Sequence, residues 1–137
     1  MKRRKPIRKQ SDRGKLVKRV DALLFTLIKR ERGERCQLCG RTTNLTPFHI
    51  LPKGTYPKLR FNCRNILIAC WFPCHNDWHS NYYKAKNIEK KIIKLLGEDY
   101  EVDLKMANEC QQSFSPVYLK TLEQALKNEL KGAKHGS

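Results

Sequence analysis

Leu16, Val20, Leu23, Leu24, Leu27 and Ile28 recur at helical spacing with Lys and Arg between them. The pattern predicts an amphipathic helix over about 16–31, ended by Gly33. Helical periodicity is then lost over 34–70. Within that stretch Thr46 to Leu51 reads as a strand, Pro52, Gly54 and Pro57 as a loop, and Asn65 to Ala69 as the returning strand. A second helix is expected from Cys74 or His75 to about Lys86. Ile88, Ile92, Ile93, Leu95 and Leu96 mark a short helix ended at Gly97, and Val102, Leu104, Met106 and Ala107 another. Ser115-Pro116 supplies an N-cap and a first-turn proline for the last helix. Leu119, Leu122, Leu126 and Leu130 carry that helix to Gly132. The sum is an α+β domain, mostly helical by residue count.

Composition adds a partner class. The chain has 137 residues and 39% hydrophobic content, enough for one modest core. Lys plus Arg number 29 against 13 acids, a formal net charge of +16. Such an excess fits a polyanion, and nucleic acid is the common one. Residues 1–15 (MKRRKPIRKQSDRGK) read as a mobile basic arm, with Arg3 and Arg4 as phosphate contacts. Residues 132–137 read as a frayed tail. No apolar run is long enough for a membrane span and no secretory leader opens the chain, so the cytosol is expected. There thiols stay reduced, and paired cysteines favour zinc over disulfides.

The chemistry concentrates between Cys36 and His79. The cysteines follow a C-x2-C, thirty-residue, C-x3-C pattern: Cys36 and Cys39, then Cys70 and Cys74. A tight turn can aim two sulfurs at one ion, so two such pairs suit a structural Zn²⁺. Unconnected core cysteines or a disulfide are the plainer alternatives. Cys63 and Cys110 lack close thiol partners and read as buried or semi-buried thiols. His75 and His79 share a helix face, one turn apart, where two imidazoles can hold one divalent ion. His49 is a candidate general base, or a satisfied structural histidine. Lys53, Arg60 and Arg64 flank these residues, either gripping phosphates or solvating the surface. Trp71 and Trp78 read as packing around the thiols, and Tyr82 and Tyr83 as helix packing.

His49, Asn65 and His75 stand in the order and approximate spacing of the HNH (ββα-metal) endonucleases, interleaved with two cysteine pairs as in their zinc-containing branch. The run Tyr56-Pro57-Lys58-Leu59-Arg60-Phe61-Asn62-Cys63-Arg64-Asn65-Ile66, followed by Cys70 and Cys74, resembles the central motif of the lambdoid-phage NinG/Rap recombination endonucleases. The resemblance runs from about residue 20 to 130. It implies an HNH domain over 16–131, with a zinc-stabilised ββα-metal core at about 34–86 and C-terminal helices over 87–131. It further implies that His49 is the base and that Asn65 braces the site loop. His75 and His79 would ligate a catalytic Mg²⁺ or Mn²⁺, positions that Zn²⁺ or Ni²⁺ would also accept. The implied activity is phosphodiester hydrolysis on branched or Holliday-junction-like DNA in an infected host cell. Symmetric junction cutting would call for a homodimer. One position departs from the pattern: Phe48 stands where many HNH enzymes place a ligating Asp or His. Asp77 is a possible third ligand, but it lies two residues from each histidine. Phe48 keeps open a rival from another class, a non-catalytic zinc module that only binds nucleic acid.

Overall fold

The structure is a computed structural model, and it describes residues 11–132. Helix α1 (Asp12–Arg32) leads to the strands β1 (Leu45–His49) and β2 (Ile66–Cys70). Helices α2 (Asn76–Ser80), α3 (Tyr82–Leu96), α4 (Tyr100–Cys110) and α5 (Pro116–Gly132) follow. The architecture is α+β and mostly helical, around one antiparallel two-stranded ribbon.

The ribbon organises the core because side chains alternate across a strand. All of β2 is buried, so both of its faces carry apolar side chains. Ile66 and Ile68 pack with Leu16, Val20, Leu24 and Ile28 of α1 and Leu119 and Leu126 of α5. Leu67 and Ala69 face the other way, with Phe48, Ile88, Ile92 and Leu104. The register sets Phe48 opposite Leu67 and His49 opposite Ile66. Consecutive residues of β1 therefore serve different faces.

Helix α5 lies along α1 in the same direction. Arg13 donates to the Phe114 carbonyl at 2.8 Å, Arg19 pairs with Glu123 at 2.6 Å, and Arg30 donates to the Leu130 carbonyl at 3.0 Å. Three arginines of the basic excess thus tie two helices together.

Several expectations need correction. Helix α1 starts at Asp12, four residues inside the expected basic arm, because the Ser11 side chain accepts the Gly14 N–H and caps it. Residues 1–10, with Arg3 and Arg4, and residues 133–137 lie outside the described residues. The helix expected to run to Lys86 breaks at Asn81, whose backbone is extended and whose side chain accepts from the Lys84 N–H. An Asn that can bond its own downstream backbone favours a cap over a helix interior. Asn65 closes a 3₁₀ turn (Cys63–Asn65) and does not open the strand. Leu95 is exposed, as are Tyr82 and Tyr83, which were expected to pack. Cys63 and Cys110 are exposed too. Among the described residues, no helix is long and apolar enough to cross a membrane.

Candidate metal centre and histidine site

The knuckle Cys36–Gly40 docks on the free edge of β2 through one residue. Gln37 gives its N–H to the Ile68 carbonyl at 2.7 Å, and its side-chain oxygen accepts the Ile68 N–H at 2.9 Å. Arg32 tightens the same junction, donating to the carbonyls of Ile66 at 2.6 Å and Cys63 at 2.8 Å. Gly40, at φ +84°, turns the chain back after the second thiol, a conformation that costs glycine little. The knuckle is thereby set beside Cys70, the last residue of β2, and Cys74 one irregular turn later.

The four sulfurs of Cys36, Cys39, Cys70 and Cys74 lie within 4.8 Å of one another, with Cys39 and Cys70 3.6 Å apart. Tetrahedral zinc thiolates at about 2.3 Å from the ion put sulfurs roughly 3.8 Å apart, so the cluster can hold a structural metal such as zinc. Its protonation chemistry agrees. Burial opposes the Cys36 thiolate, yet backbone N–H groups at Cys70, Leu38 and Cys39 and the Cys39 thiol outweigh it and hold the pKa down to about 7. Burial and the neighbouring thiols push Cys74 well up, and burial pushes Cys70 up as well. Without a cation only part of the set ionises at neutral pH; a divalent ion relieves that repulsion.

Asn65 is fully buried, and its amide does one task. Its oxygen accepts the Leu51 N–H at 2.8 Å and its nitrogen donates to the Leu51 carbonyl at 3.0 Å. The Asn65 carbonyl also accepts the Ile50 N–H at 2.9 Å. The chain leaving His49 is thus fastened over two residues. Asn65→Ala strands both Leu51 groups in the core, at a cost of about 2–3 kcal/mol. A melt should show Tm falling by roughly 10 °C with the bound metal retained; an unchanged Tm would remove Asn65 from this role.

His49 ends β1 and is partly buried. Its Nε2 lies 3.0 Å from the Arg60 carbonyl oxygen. A carbonyl can only accept, so Nε2 carries the proton and Nδ1 keeps the lone pair. Burial lowers the imidazole pKa; the carbonyl bond and Asp21 act against it, while Lys53 and Arg60 act with it. The side chain faces α1 in a small pocket with Asp21, Leu24, Phe25, Pro47, Lys53 and Ile66. Arg60 is not a free cation. Asp21 grips its guanidinium through two nitrogens, the shorter bond 2.6 Å, and so steadies the turn whose carbonyl meets His49. Lys53 is exposed and forms no ion pair among the described residues. Arg64 is exposed, with only a loose 4.0 Å approach to Asp103.

His75 stands beside Thr46 and Phe48 of β1, with His79 next to it, and close enough to His49 for their charges to interact. The ring centroids of His75 and His79 are 5.0 Å apart. The His75 Nδ1 is 2.8 Å from the Thr46 hydroxyl, which itself donates to the Ala69 carbonyl at 2.8 Å. With its one proton spent, the Thr46 oxygen accepts from Nδ1–H, which leaves the His75 Nε2 lone pair open to a ligand. Burial lowers the His75 pKa, with smaller contributions from His79, His49 and Lys53, so the ring is neutral near pH 7. Phe48 is fully buried and packs against the His75 ring in an edge arrangement, centroids 5.4 Å apart. Asp77 instead approaches Lys84 at 4.0 Å. Among the described residues only the four cysteines bring three or more metal-ligating groups together. The histidine pair therefore has no third ligating side chain gathered with it among the described residues.

The chain's pattern did not single out Asp21, Thr46 or Gln37. Asp21 carried a readable signal, an acid three and four residues from Leu24 and Phe25 on the apolar side of α1. Thr46 and Gln37 carried none, since their roles depend on strand register.

No protein-family model matches the chain, and neither a curated protein nor a solved structure matches it.

Proposed function

We propose that the chain is an HNH-type, metal-dependent DNA endonuclease that hydrolyses phosphodiester bonds, with branched or junction-like DNA as its substrate. The observation that supports this most is the fixed tautomers of two imidazoles: Nδ1 of His49 and Nε2 of His75 each keep a lone pair. His49 Nδ1 takes a proton from water, the water oxygen attacks phosphorus, and the bond to the departing 3′ oxygen breaks. His75 and His79 would hold the Mg²⁺ or Mn²⁺ ion, which supplies charge stabilisation to the phosphoryl oxygens. The four thiolates would hold Zn²⁺ as a structural ion. Lys53 and Arg64 are free to meet phosphates, whereas Arg60 acts through its carbonyl and its Asp21 pair.

The deciding experiment is a cleavage panel of linear duplex, flap, fork and four-way junction across Mg²⁺ and Mn²⁺. Cutting of at least one branched form supports the reading; tight binding with no cutting of any form supports a non-catalytic zinc module. One observation favours that second reading, the buried Phe48 beside His75. Asp21→Asn offers a finer check. Loss of the ion pair loosens the Arg60 turn, and the cleavage rate should fall about 10-fold through misplacement of His49, with bound zinc unchanged. A rate equal to wild type would mean that Asp21 does not position the base.

A further inference from the structure

Trp71 was expected to pack around the thiols, yet it is 51% exposed, and its neighbour Phe72 is 64% exposed. Both stand on the turn Trp71–His75, whose ends are fixed by Cys70 and Cys74 of the thiol cluster. Phe72 departs from the helical conformation of its neighbours, at φ −128° and ψ 130°. The Trp71 ring lies 5.1 Å from the His75 ring, centroid to centroid. Trp78, the other tryptophan, behaves differently: it packs against the core and the Phe48 ring. Two large aromatic side chains are thus exposed to water on the turn between two cysteines of the cluster, Trp71 beside His75.

We propose that Trp71 and Phe72 form a base-stacking platform, which selects DNA with unpaired bases. The inference rests on the DNA-binding half of the proposed function and not on the catalytic half. Charge argues for this occupant: a chain of net charge +16 draws a polyanion, and Lys53 is exposed and forms no ion pair among the described residues. Nucleic acid joins anionic phosphates to flat faces, and aromatic rings beside cations are how single strands are held without regard to sequence. Paired bases inside a duplex hide those faces, so the platform discriminates by structure.

The test uses the full, zinc-loaded chain with no added Mg²⁺ or Mn²⁺, so that binding is read apart from cleavage. The probes are a labelled single strand, a fork and a fully paired duplex of one sequence. Trp71→Ala and Phe72→Ala should each weaken single-strand and fork binding about 10-fold, within the range of one lost stack, and leave duplex binding near wild type. Trp71→Phe, which keeps a ring, should restore most of the loss. Retained zinc shows that the variants are folded. Should they lose it, wild-type tryptophan emission serves instead: the single strand should quench it and the duplex should not. Variants that bind all three probes like wild type overturn the platform. So does equal weakening on all three, an unquenched emission, or a wild-type dimer that Trp71→Ala dissolves, which would make the face a protein interface. A chain that never cuts DNA but keeps this Trp71-dependent preference upholds the platform and sinks only the endonuclease.

Discussion

Removing the metal from the four-thiolate cluster is expected to unfold the region between Cys36 and His79. An ion held at a thousandfold excess over its Kd contributes about 4 kcal/mol, a large share of the stability of a chain this size. The structure shows why the loss would spread. Cys70 ends the buried strand β2, Cys74 precedes His75, and the knuckle hangs on β2 through Gln37 and Arg32. Melts with and without a zinc chelator, with metal content measured alongside, check this; Cys74→Ser should behave like the chelated wild type. A metal-free chain that melts at the wild-type temperature would show the thiols to be ordinary core cysteines. Acid should act like the chelator. Burial and neighbouring thiols favour the protonated forms of Cys70 and Cys74, so protons compete with the metal and its affinity falls as pH falls.

His49→Ala should lower the cleavage rate by about 10²–10⁴-fold with little change in DNA affinity, as for the loss of a general base. The wild-type rate should depend on pH in a definite direction. Burial holds the His49 pKa below its ordinary 6.5, and the base must be neutral to accept a proton. The rate therefore rises with pH, and the midpoint of its acid limb lies below about pH 6.5. His75 shifts the same way and must also be neutral to ligate, so it steepens the acid limb. Single-turnover rates across pH 5–8 test this, at metal concentrations held saturating. An acid limb with its midpoint above pH 7 would point to a different base.

The apolar spacing carried most of the helices, because burial on one face imposes the same period on sequence and structure. Leu16, Val20, Leu24 and Ile28 were readable for that reason, as were Leu119 and Leu126. The thiol cluster was readable from spacing alone, since turn geometry limits which sulfurs can converge. What escaped depends on contacts between distant segments. Asn81 reads as one more polar helix residue until its side chain caps the next helix. Trp71 and Trp78 are equally apolar, and only the turn between Cys70 and Cys74 decides that one is exposed while the other packs. Arg60 looks like a phosphate grip by type and neighbourhood, but Asp21, thirty-nine positions away, takes its charge. Phe48 was legible as the departure from the HNH pattern that the chain resembles; its burial against His75 adds that the space beside the imidazole is filled with carbon.

The measurement that bears most directly on the central claim is nicking of supercoiled plasmid by the zinc-loaded chain in Mg²⁺ or Mn²⁺, beside His49→Ala prepared in the same way. The account predicts that the wild type relaxes the plasmid and that His49→Ala binds it equally well but leaves it supercoiled. A variant that nicks as fast as the wild type, or a wild type that binds and never cuts, would contradict it.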